Sequence, residues 1–175
     1  AEFINAENEK TETHFDIVGR PIEVIDALGQ KIKMTYSNLD QILTETLPNG
    51  AVTEYDYDEF GRLEKITNPL KLVKTYVYDD LGRVQKTKDH KGETEISYDV
   101  MGRVLAVKNP LNHEMKWKYD EIGRIIEGTD PLGGITELSY HPLGQAETIK
   151  QPNCAIQKME YDKLGRLVKE VDSLQ

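Results

Sequence analysis

Cysteine is almost absent from this sequence, and its scarcity excludes two classes of small domain. The 175 residues contain one cysteine, Cys154. A single thiol cannot form an intrachain disulfide framework or a zinc site built from several cysteines. We therefore expect Cys154 to be a buried, inert thiol.

Long apolar runs and a basic excess are also missing. No stretch of about 18 apolar residues is present, and the N-terminus lacks the basic and then apolar layout of a signal peptide. The formal net charge is −9, and lysines and arginines are interleaved with carboxylates along the chain. The charge pattern therefore argues against a nucleic-acid surface.

Motifs that carry catalysis or bind cofactors are absent as well. The sequence holds no dinucleotide fingerprint, phosphate loop, nucleophile elbow or paired-cysteine site. The four histidines, which fall at four different phases of the repeat described below, are His14, His90, His113 and His141. We expect no enzyme, no metal site and no cofactor.

Tyrosine is abundant, and it marks an internal repeat. The aromatic anchors of eight copies are Phe15, Tyr36, Tyr57, Tyr78, Tyr98, Tyr119, Tyr140 and Tyr161. They recur every 21 residues, with one 20-residue interval after Tyr78. Five copies read Tyr-Asp-x-apolar-Gly-Arg, and the copies at Phe15, Tyr36 and Tyr140 are degenerate. A fixed period of this kind predicts a tandem array that spans the chain, 1–175.

Each repeat contains two turns and therefore two short strands. A second turn follows each anchor by about 11 residues, as at Asn68-Pro69 and Asn109-Pro110. The segments between turns have six or seven residues, the usual length of a strand. The sequence predicts an all-β fold of tandem antiparallel β-hairpins that form a continuous twisted or spiralling sheet.

Strand alternation predicts rows of aromatic side chains on one face of that sheet. The six aromatic residues that we consider as candidates for ligand stacking are Tyr55, Tyr57, Tyr76, Tyr78, Trp117 and Tyr119. Such rings either stack on sugar rings or pack within the wall of the array, and the pattern favours packing. The returning strand alternates poorly, which predicts a β-bulge in it.

The motif itself is a turn signature. An aspartate accepts backbone N–H bonds two residues on, and glycine supplies a positive φ. The predicted turn residues are Asp58, Gly61, Arg62, Asp79, Gly82, Arg83, Asp99, Gly102, Arg103, Asp120, Gly123, Arg124, Asp162, Gly165 and Arg166. We expect each arginine to pair with an aspartate of its own or the adjacent turn. The apolar residue inside the turn is expected to fold back over the neighbouring hairpin.

One chemical alternative arises from the same residues. A column of turn carboxylates is able in principle to bind Ca²⁺, but each is matched by an arginine four residues on, which favours charge neutralisation. We interpret the column as structural.

On these motifs the sequence resembles the RHS/YD-repeat family, and the likeness covers essentially the whole chain. The family includes bacterial polymorphic toxins, wall-associated proteins, the B/C shells of toxin complexes, and teneurins. The resemblance implies a partial shell, a segment of a longer secreted or cell-surface protein whose hollow wall encloses a C-terminal toxin or effector domain.

One segment resembles a catalytic motif of this family. In its toxin members an Asp-Pro-x-Gly motif marks an aspartyl autoprotease at the end of the shell, and Asp130-Pro131-Leu132-Gly133 is similar to it. The segment lies at the ordinary phase of the second turn, and a further regular repeat follows it. We therefore interpret it as structural.

Expected partners follow from that resemblance. They are the remaining repeats of the shell and the enclosed domain, with glycans as an alternative if the chain is an adhesion module that binds carbohydrate or protein. Edge strands and an aromatic face also predict self-association of this segment.

Overall fold

The computed structural model describes residues 2–4 and 10–173, and the regular structure in these residues is entirely β-strand. The chain forms two compact units, residues 1–92 and 93–175. The strands of the first unit are β1 (Glu2–Ile4), β2 (Lys10–Phe15), β3 (Pro21–Ile25), β4 (Lys31–Tyr36), β5 (Ile42–Thr46), β6 (Val52–Tyr57), β7 (Leu63–Thr67), β8 (Val73–Tyr78) and β9 (Val84–Asp89).

The second unit begins within β10, and its strands follow the same plan. They are β10 (Gly92–Tyr98), β11 (Val104–Lys108), β12 (Glu114–Tyr119), β13 (Ile125–Thr129), β14 (Ile135–Tyr140), β15 (Ala146–Lys150), β16 (Ile156–Tyr161) and β17 (Leu167–Asp172). The described residues contain no helix, and so none that is long and apolar enough to cross a membrane.

Consecutive strands pair antiparallel within each unit. The pairings run from β1 with β2 to β8 with β9 in the first unit, and from β10 with β11 to β16 with β17 in the second. Each repeat thus contributes one hairpin, with the anchor at the end of its first strand. The predicted all-β fold of tandem hairpins is confirmed. Strand β1 is an addition that the repeat did not predict.

A β-bulge occurs in the returning strand of every repeat, as the broken alternation predicted. In the third hairpin Asp56 faces Lys65 but Tyr57 faces Leu63, so Glu64 is an extra residue in β7. The same one-residue shift follows the anchor in the other seven hairpins. A bulge increases local twist, so the sheet of each unit twists at the same place in every repeat.

The described chain has almost no core. Ala155 is its one buried apolar residue, and no large side chain is fully buried. Many apolar side chains of the strands are half-buried against neighbours in the same sheet, such as Ile66, and others are exposed, such as Val77. Within each unit, stability must therefore come largely from contacts between adjacent strands and repeats, because the described apolar side chains are not enclosed in a core.

The turn geometry corrects two expectations. The apolar residues inside the first turn are 63% to 78% exposed and do not cover the neighbouring hairpin; they are Phe60, Leu81, Met101, Ile122, Leu143 and Leu164. The tight turn directs this side chain outward, because it precedes a glycine with positive φ, as Leu81 precedes Gly82. Cys154 is exposed as well, since it occupies the positive-φ position of a second turn with φ of 65°.

One second turn differs and accounts for the short interval between Tyr78 and Tyr98. Strand β9 ends at Asp89 and β10 begins at Gly92, so His90 and Lys91 alone connect them. The other second turns leave five residues between strands, as at residues 68–72. The Asp89 carboxylate accepts a bond from the Lys91 N–H at 2.7 Å.

Candidate functional site

The aspartate of the motif organises its own turn. The Asp79 carboxylate accepts hydrogen bonds from the backbone N–H of Leu81 at 3.0 Å, the backbone N–H of Arg83 at 2.9 Å and the Arg83 Nε at 2.7 Å. The other aspartates that make this set of three bonds are Asp16, Asp58, Asp99, Asp120 and Asp162. The predicted pairing of aspartate with arginine in the same turn is present, and both oxygens of each carboxylate accept hydrogen bonds from the turn itself.

These bonds favour the ionised carboxylates. The backbone N–H of Arg83, followed by the Arg83 side chain, lowers the pKa of Asp79 despite opposing desolvation. For Asp162 the backbone N–H and then the guanidinium of Arg166 lower the pKa in the same way. The turn carboxylates therefore stay charged at neutral pH, where they hold their arginines in place.

Glycine closes each turn. Gly82 has φ of 79°, and its N–H donates to the Asp79 carbonyl at 2.9 Å. A Cβ at this position would meet only the Arg62 Nη1, at 3.7 Å. The glycine is therefore required by backbone conformation, because an L side chain is strained at this φ.

The anchor tyrosines connect successive hairpins. The Tyr78 hydroxyl donates to the carbonyl of Leu63, the first residue of the returning strand in the preceding repeat, at 2.7 Å. We call this arrangement the tyrosine ladder; its described bonds join Tyr36 to Pro21, Tyr57 to Ile42, Tyr78 to Leu63, Tyr119 to Val104, Tyr140 to Ile125 and Tyr161 to Ala146. Every bond spans 15 residues, so it couples one repeat to the next.

The motif arginines strengthen the same junction. The Arg62 guanidinium carbon lies 4.5 Å from the centre of the Tyr78 ring in the following repeat. Equivalent contacts of 4.4 to 4.9 Å join Arg20 to Tyr36, Arg103 to Tyr119 and Arg124 to Tyr140. A guanidinium over an aromatic face is attracted by the ring quadrupole. Each of these four arginines thus contacts its own aspartate and the next tyrosine at once.

Two degenerate copies replace the charged pair as a pair. In one, Ser37 and Gln41 stand for aspartate and arginine, and the Leu39 N–H donates to the Ser37 Oγ at 3.1 Å. In the other, His141 and Gln145 take these places, and the Leu143 N–H donates to the His141 Nδ1 at 3.2 Å. No copy keeps one charge without the other, which identifies the pair as the unit that the turn requires.

Oppositely charged side chains pair on the face of the sheet away from the tyrosine ladder. The Lys65 Nζ lies 2.8 Å from an Asp56 oxygen, and the Lys118 Nζ lies 2.9 Å from a Glu127 oxygen. These residues face each other across one hairpin, nine positions apart. Each of these exposed ion pairs contributes little to the stability of the fold. We therefore interpret this face as a solvated surface with matched charges.

The six candidate stacking aromatics divide into two groups. Tyr57, Tyr78 and Tyr119 donate to carbonyls in the tyrosine ladder. Tyr55, Tyr76 and Trp117 lie two residues earlier on the same face and are half-buried; we call these three the second aromatic row. Opposite Trp117 stands Gly128, where an added Cβ would lie 3.9 Å from the Trp117 Cδ1, an ordinary contact distance.

Within residues 2–4 and 10–173, no group of three or more His, Cys, Asp and Glu side chains is arranged to hold an ion. His14 lies 3.1 Å from a Glu23 oxygen across its hairpin. The autoprotease-like segment is an ordinary turn, in which the Asp130 carboxylate accepts the N–H groups of Leu132 and Gly134 at 2.8 Å each.

Sequence reasoning found the turn but missed the junction. Neither the hydroxyl bonds nor the arginine–tyrosine contacts were predicted, although one signal was present. In the junctions of Arg20, Arg62, Arg103 and Arg124, the arginine precedes the next tyrosine by 16 residues. That constant spacing, read across the second turn, would have placed the two side chains together.

The fold and the tyrosine ladder define a class: a tandem β-hairpin repeat protein whose motif residues join neighbouring repeats. Residues 70–171 match the Teneurin YD-shell family, and residues 36–73 match the RHS Repeat family. The chain therefore belongs to the YD-shell family, as its motif predicted. A search of curated proteins found no match.

Solved structures from toxin complexes are similar in fold. One is the crystal structure of TcdB2-TccC3-Cdc42, with a TM-score of 0.57, 16% identity, and coverage of 98% of this chain and 12% of that chain. Another is the Photorhabdus luminescens Tc holotoxin pore, with a TM-score of 0.61, 14% identity, and coverage of 98% and 12%. The chain thus spans about an eighth of the length of either matched chain.

Proposed function

We propose that this chain is a wall segment of a secreted or surface RHS/YD-repeat protein, and that the complete wall encapsulates a C-terminal toxin or effector domain. One observation carries the proposal: the residues that define the motif are used to join repeats. The aspartate, glycine, arginine and tyrosine of a repeat all make bonds within or between hairpins. A chain built this way provides an extended surface, which is what an enclosing wall needs.

Two further features support the enclosing role. The chain belongs to a family named for its shell, and its fold is similar to short parts of much longer toxin-complex chains. The sheet of each unit also has two unlike faces, one with aromatic rows and one with paired charges. A wall between an enclosed polypeptide and solvent would use two such faces differently.

The proposal is tested on the full-length protein that contains this segment. Limited proteolysis should spare the C-terminal domain while it is enclosed, and should degrade it once the wall is opened by acid. Rapid degradation of that domain in the intact protein would contradict encapsulation. A control with the C-terminal domain expressed alone establishes how fast it is cut without a wall.

A carbohydrate-binding role is the second candidate, and the second aromatic row favours it. Tyr55, Tyr76 and Trp117 are half-buried and are not part of the tyrosine ladder. Rings of this kind stack on ligands when one face is open. Trp117→Ala should abolish binding in a glycan-array experiment if the row is a sugar site, and should leave the fold intact. Lys118→Ala, on the opposite face of the same strand, is the matched control.

Self-association belongs to the same proposal. Exposed apolar side chains project from the first turn of each repeat, and the outer strands offer backbone groups to another sheet. We expect light scattering to show oligomers at tens of micromolar. A strict monomer at that concentration would contradict this part of the proposal.

A further inference from the structure

The first turn of the seventh repeat is held by fewer side-chain bonds than the turn before it. In that preceding turn, the Asp120 carboxylate accepts the N–H groups of Ile122 and Arg124 at 3.1 and 2.8 Å and the Arg124 Nε at 2.6 Å. His141 takes the place of the aspartate, and its Nδ1 accepts the Leu143 N–H at 3.2 Å. The Nδ1 atom accepts this bond only while it carries no hydrogen, so a neutral imidazole caps the turn.

Gln145 leaves a buried acceptor in the same turn. Its side-chain oxygen Oε1 is buried and has no hydrogen-bond partner in the part of the chain that the structure describes. In the other turn with a glutamine at this place, the Ser37 hydroxyl donates to the Gln41 Oε1 at 3.2 Å. His141 stands where Ser37 stands, but its Nδ1 has no hydrogen to donate. The seventh turn therefore lacks one donor, and a buried acceptor without a donor costs free energy.

Protonation of an imidazole supplies a donor of this kind. Histidine side chains ordinarily change charge between about pH 5 and 8, and both ring nitrogens of the charged form are donors. Once the His141 Nδ1 carries a hydrogen, it no longer accepts the Leu143 N–H, because two donors then face each other. Gln145 offers that hydrogen an acceptor. Its place is the one from which the motif arginines reach their aspartates, as Arg124 reaches Asp120 at 2.6 Å.

We propose that the seventh turn is a proton-driven switch in which the imidazole of His141 exchanges the Leu143 N–H for the Gln145 Oε1. The solvent supplies the proton, and the N–H bond formed at Nδ1 is the one covalent change. One hydrogen bond replaces another, so β14 and β15 stay paired and the change is confined to the turn. This inference goes beyond the wall role, because it gives one repeat a state that responds to mild acid.

The motif ions on either side of the switch are already paired. The Arg124 guanidinium lies 4.4 Å from the centre of the Tyr140 ring, and Asp120 balances its charge. In the following turn Asp162 pairs with Arg166 at 2.7 Å. The other charged side chains of these two turns and of the hairpin itself are Glu121, Glu137, Glu147, Lys150 and Lys163. Of these, Glu137 and Lys150 pair with each other and the rest are exposed, so the response to acid rests on the bonds within the turn.

A turn capped by aspartate should not respond in the same pH range. The backbone N–H and then the guanidinium of Arg166 hold the pKa of Asp162 below its ordinary value of 3.8. The carboxylate therefore stays charged above about pH 5, and the Leu164 N–H keeps its 2.9 Å bond to it. Mild acid thus distinguishes the seventh turn from the eighth.

NMR spectroscopy of the full chain follows both partners of the exchange. Between pH 8 and 5 we expect the Leu143 amide resonance to shift with the same midpoint as the His141 ring, and the Leu164 amide to stay in place. His141→Asp restores the motif acid and should abolish the titration of the Leu143 amide in this range. A Leu143 amide that does not follow the His141 ring would overturn the proposal.

A second variant tests the acceptor. Gln145→Leu removes the Oε1 that receives the charged imidazole, so the titration midpoint of the His141 ring should fall by about 0.7 pH unit, the equivalent of one hydrogen bond. Gln151→Leu, in the following second turn, is the matched control and should leave the midpoint in place. Circular dichroism checks that both variants keep their strands. An unchanged midpoint in Gln145→Leu would overturn the exchange, whereas the wall is tested separately by proteolysis of the full-length protein.

Discussion

At the scale of single residues, Arg62 shows how one side chain serves two repeats. Its Nε donates to Asp58 within its own turn at 2.7 Å, and its guanidinium lies over Tyr78 of the next repeat. The aspartate sets the position of the guanidinium, and the guanidinium then sets the position of the ring. A chain without a core depends on such bridges, because each one converts a local turn into a contact between repeats.

The tyrosine hydroxyl should contribute measurably to stability. Tyr78→Phe removes the bond to the Leu63 carbonyl and leaves that carbonyl without this donor, so we expect a loss of about 1 kcal/mol in the free energy of unfolding. Urea unfolding measures it. Tyr76→Phe, on the same strand and face, is the control and should change stability much less. Equal losses from both changes would show that the hydroxyl bond carries no special weight.

Acid should destabilise the array through the turn carboxylates. Their pKa values lie below the ordinary 3.8 of aspartate, as for Asp79 and Asp162. Between the folded and unfolded pKa values, the folded state therefore binds fewer protons than the unfolded state. The stabilisation by these carboxylates is complete above the unfolded pKa, and it is lost as pH falls through the lowered pKa values of the folded state. Urea midpoints should be nearly level from pH 7 to about 5 and should fall steeply below about 4. A flat profile down to pH 2.5 would contradict the role of these carboxylates.

At the scale of the turn, aspartate and arginine should behave as one unit. Asp120→Ser leaves the Arg124 charge without its partner, and Arg124→Gln leaves the Asp120 charge without its partner. The double change reproduces the uncharged pair found at Ser37 and Gln41. We expect the double variant to lose less stability than the sum of the two single variants. Additive losses in urea unfolding would mean that the pair is not coupled.

The positive-φ position of the second turn offers a matched pair of substitutions. Cys154 has φ of 65° where the preceding second turn has Gly133 with φ of 85°. Cys154→Gly should raise the free energy of unfolding by about 1 kcal/mol by relieving this conformation. Gly133→Ala should lower the free energy of unfolding by a similar amount, about 1 kcal/mol. An added Cβ meets nothing within 4 Å, so the cost comes from the positive φ of the backbone and not from a steric clash. Thermal unfolding that shifts both variants in the same direction would contradict this explanation.

Most of the element structure was predictable from the sequence, and the reason is its periodicity. A period of 21 residues with two turn signatures leaves room for two strands, and Asp58 with Gly61 determines the turn by local bonds alone. Leu63 followed by Ile66, at odd offset, predicted the bulge. Local chemistry of this kind is visible in one copy and is repeated in the next.

Contacts between repeats were much harder to predict. The bond from Tyr78 to Leu63 depends on how two hairpins align, and one copy of the motif contains no information on that alignment. The prediction that Leu81 covers the neighbouring hairpin was wrong. It rested on the usual burial of apolar residues, whereas Leu81 lies in the turn beyond the last hydrogen-bonded pair of its hairpin, Asp79 and Arg83.

At the scale of the whole molecule, stability should grow with the number of intact junctions. In repeat proteins each unit contacts mainly its neighbours, so total stability approximates a sum of unit and junction terms. The tyrosine ladder supplies the junction term here. A wall assembled in this way extends without needing a core.

Electron cryo-microscopy of the full-length protein that contains this segment tests the central claim most directly. The wall account predicts that residues 10–173 form part of a continuous β-hairpin wall around a closed space, with one face toward an enclosed C-terminal domain. A map in which both faces of this segment are open to solvent, and no domain is enclosed, would contradict it.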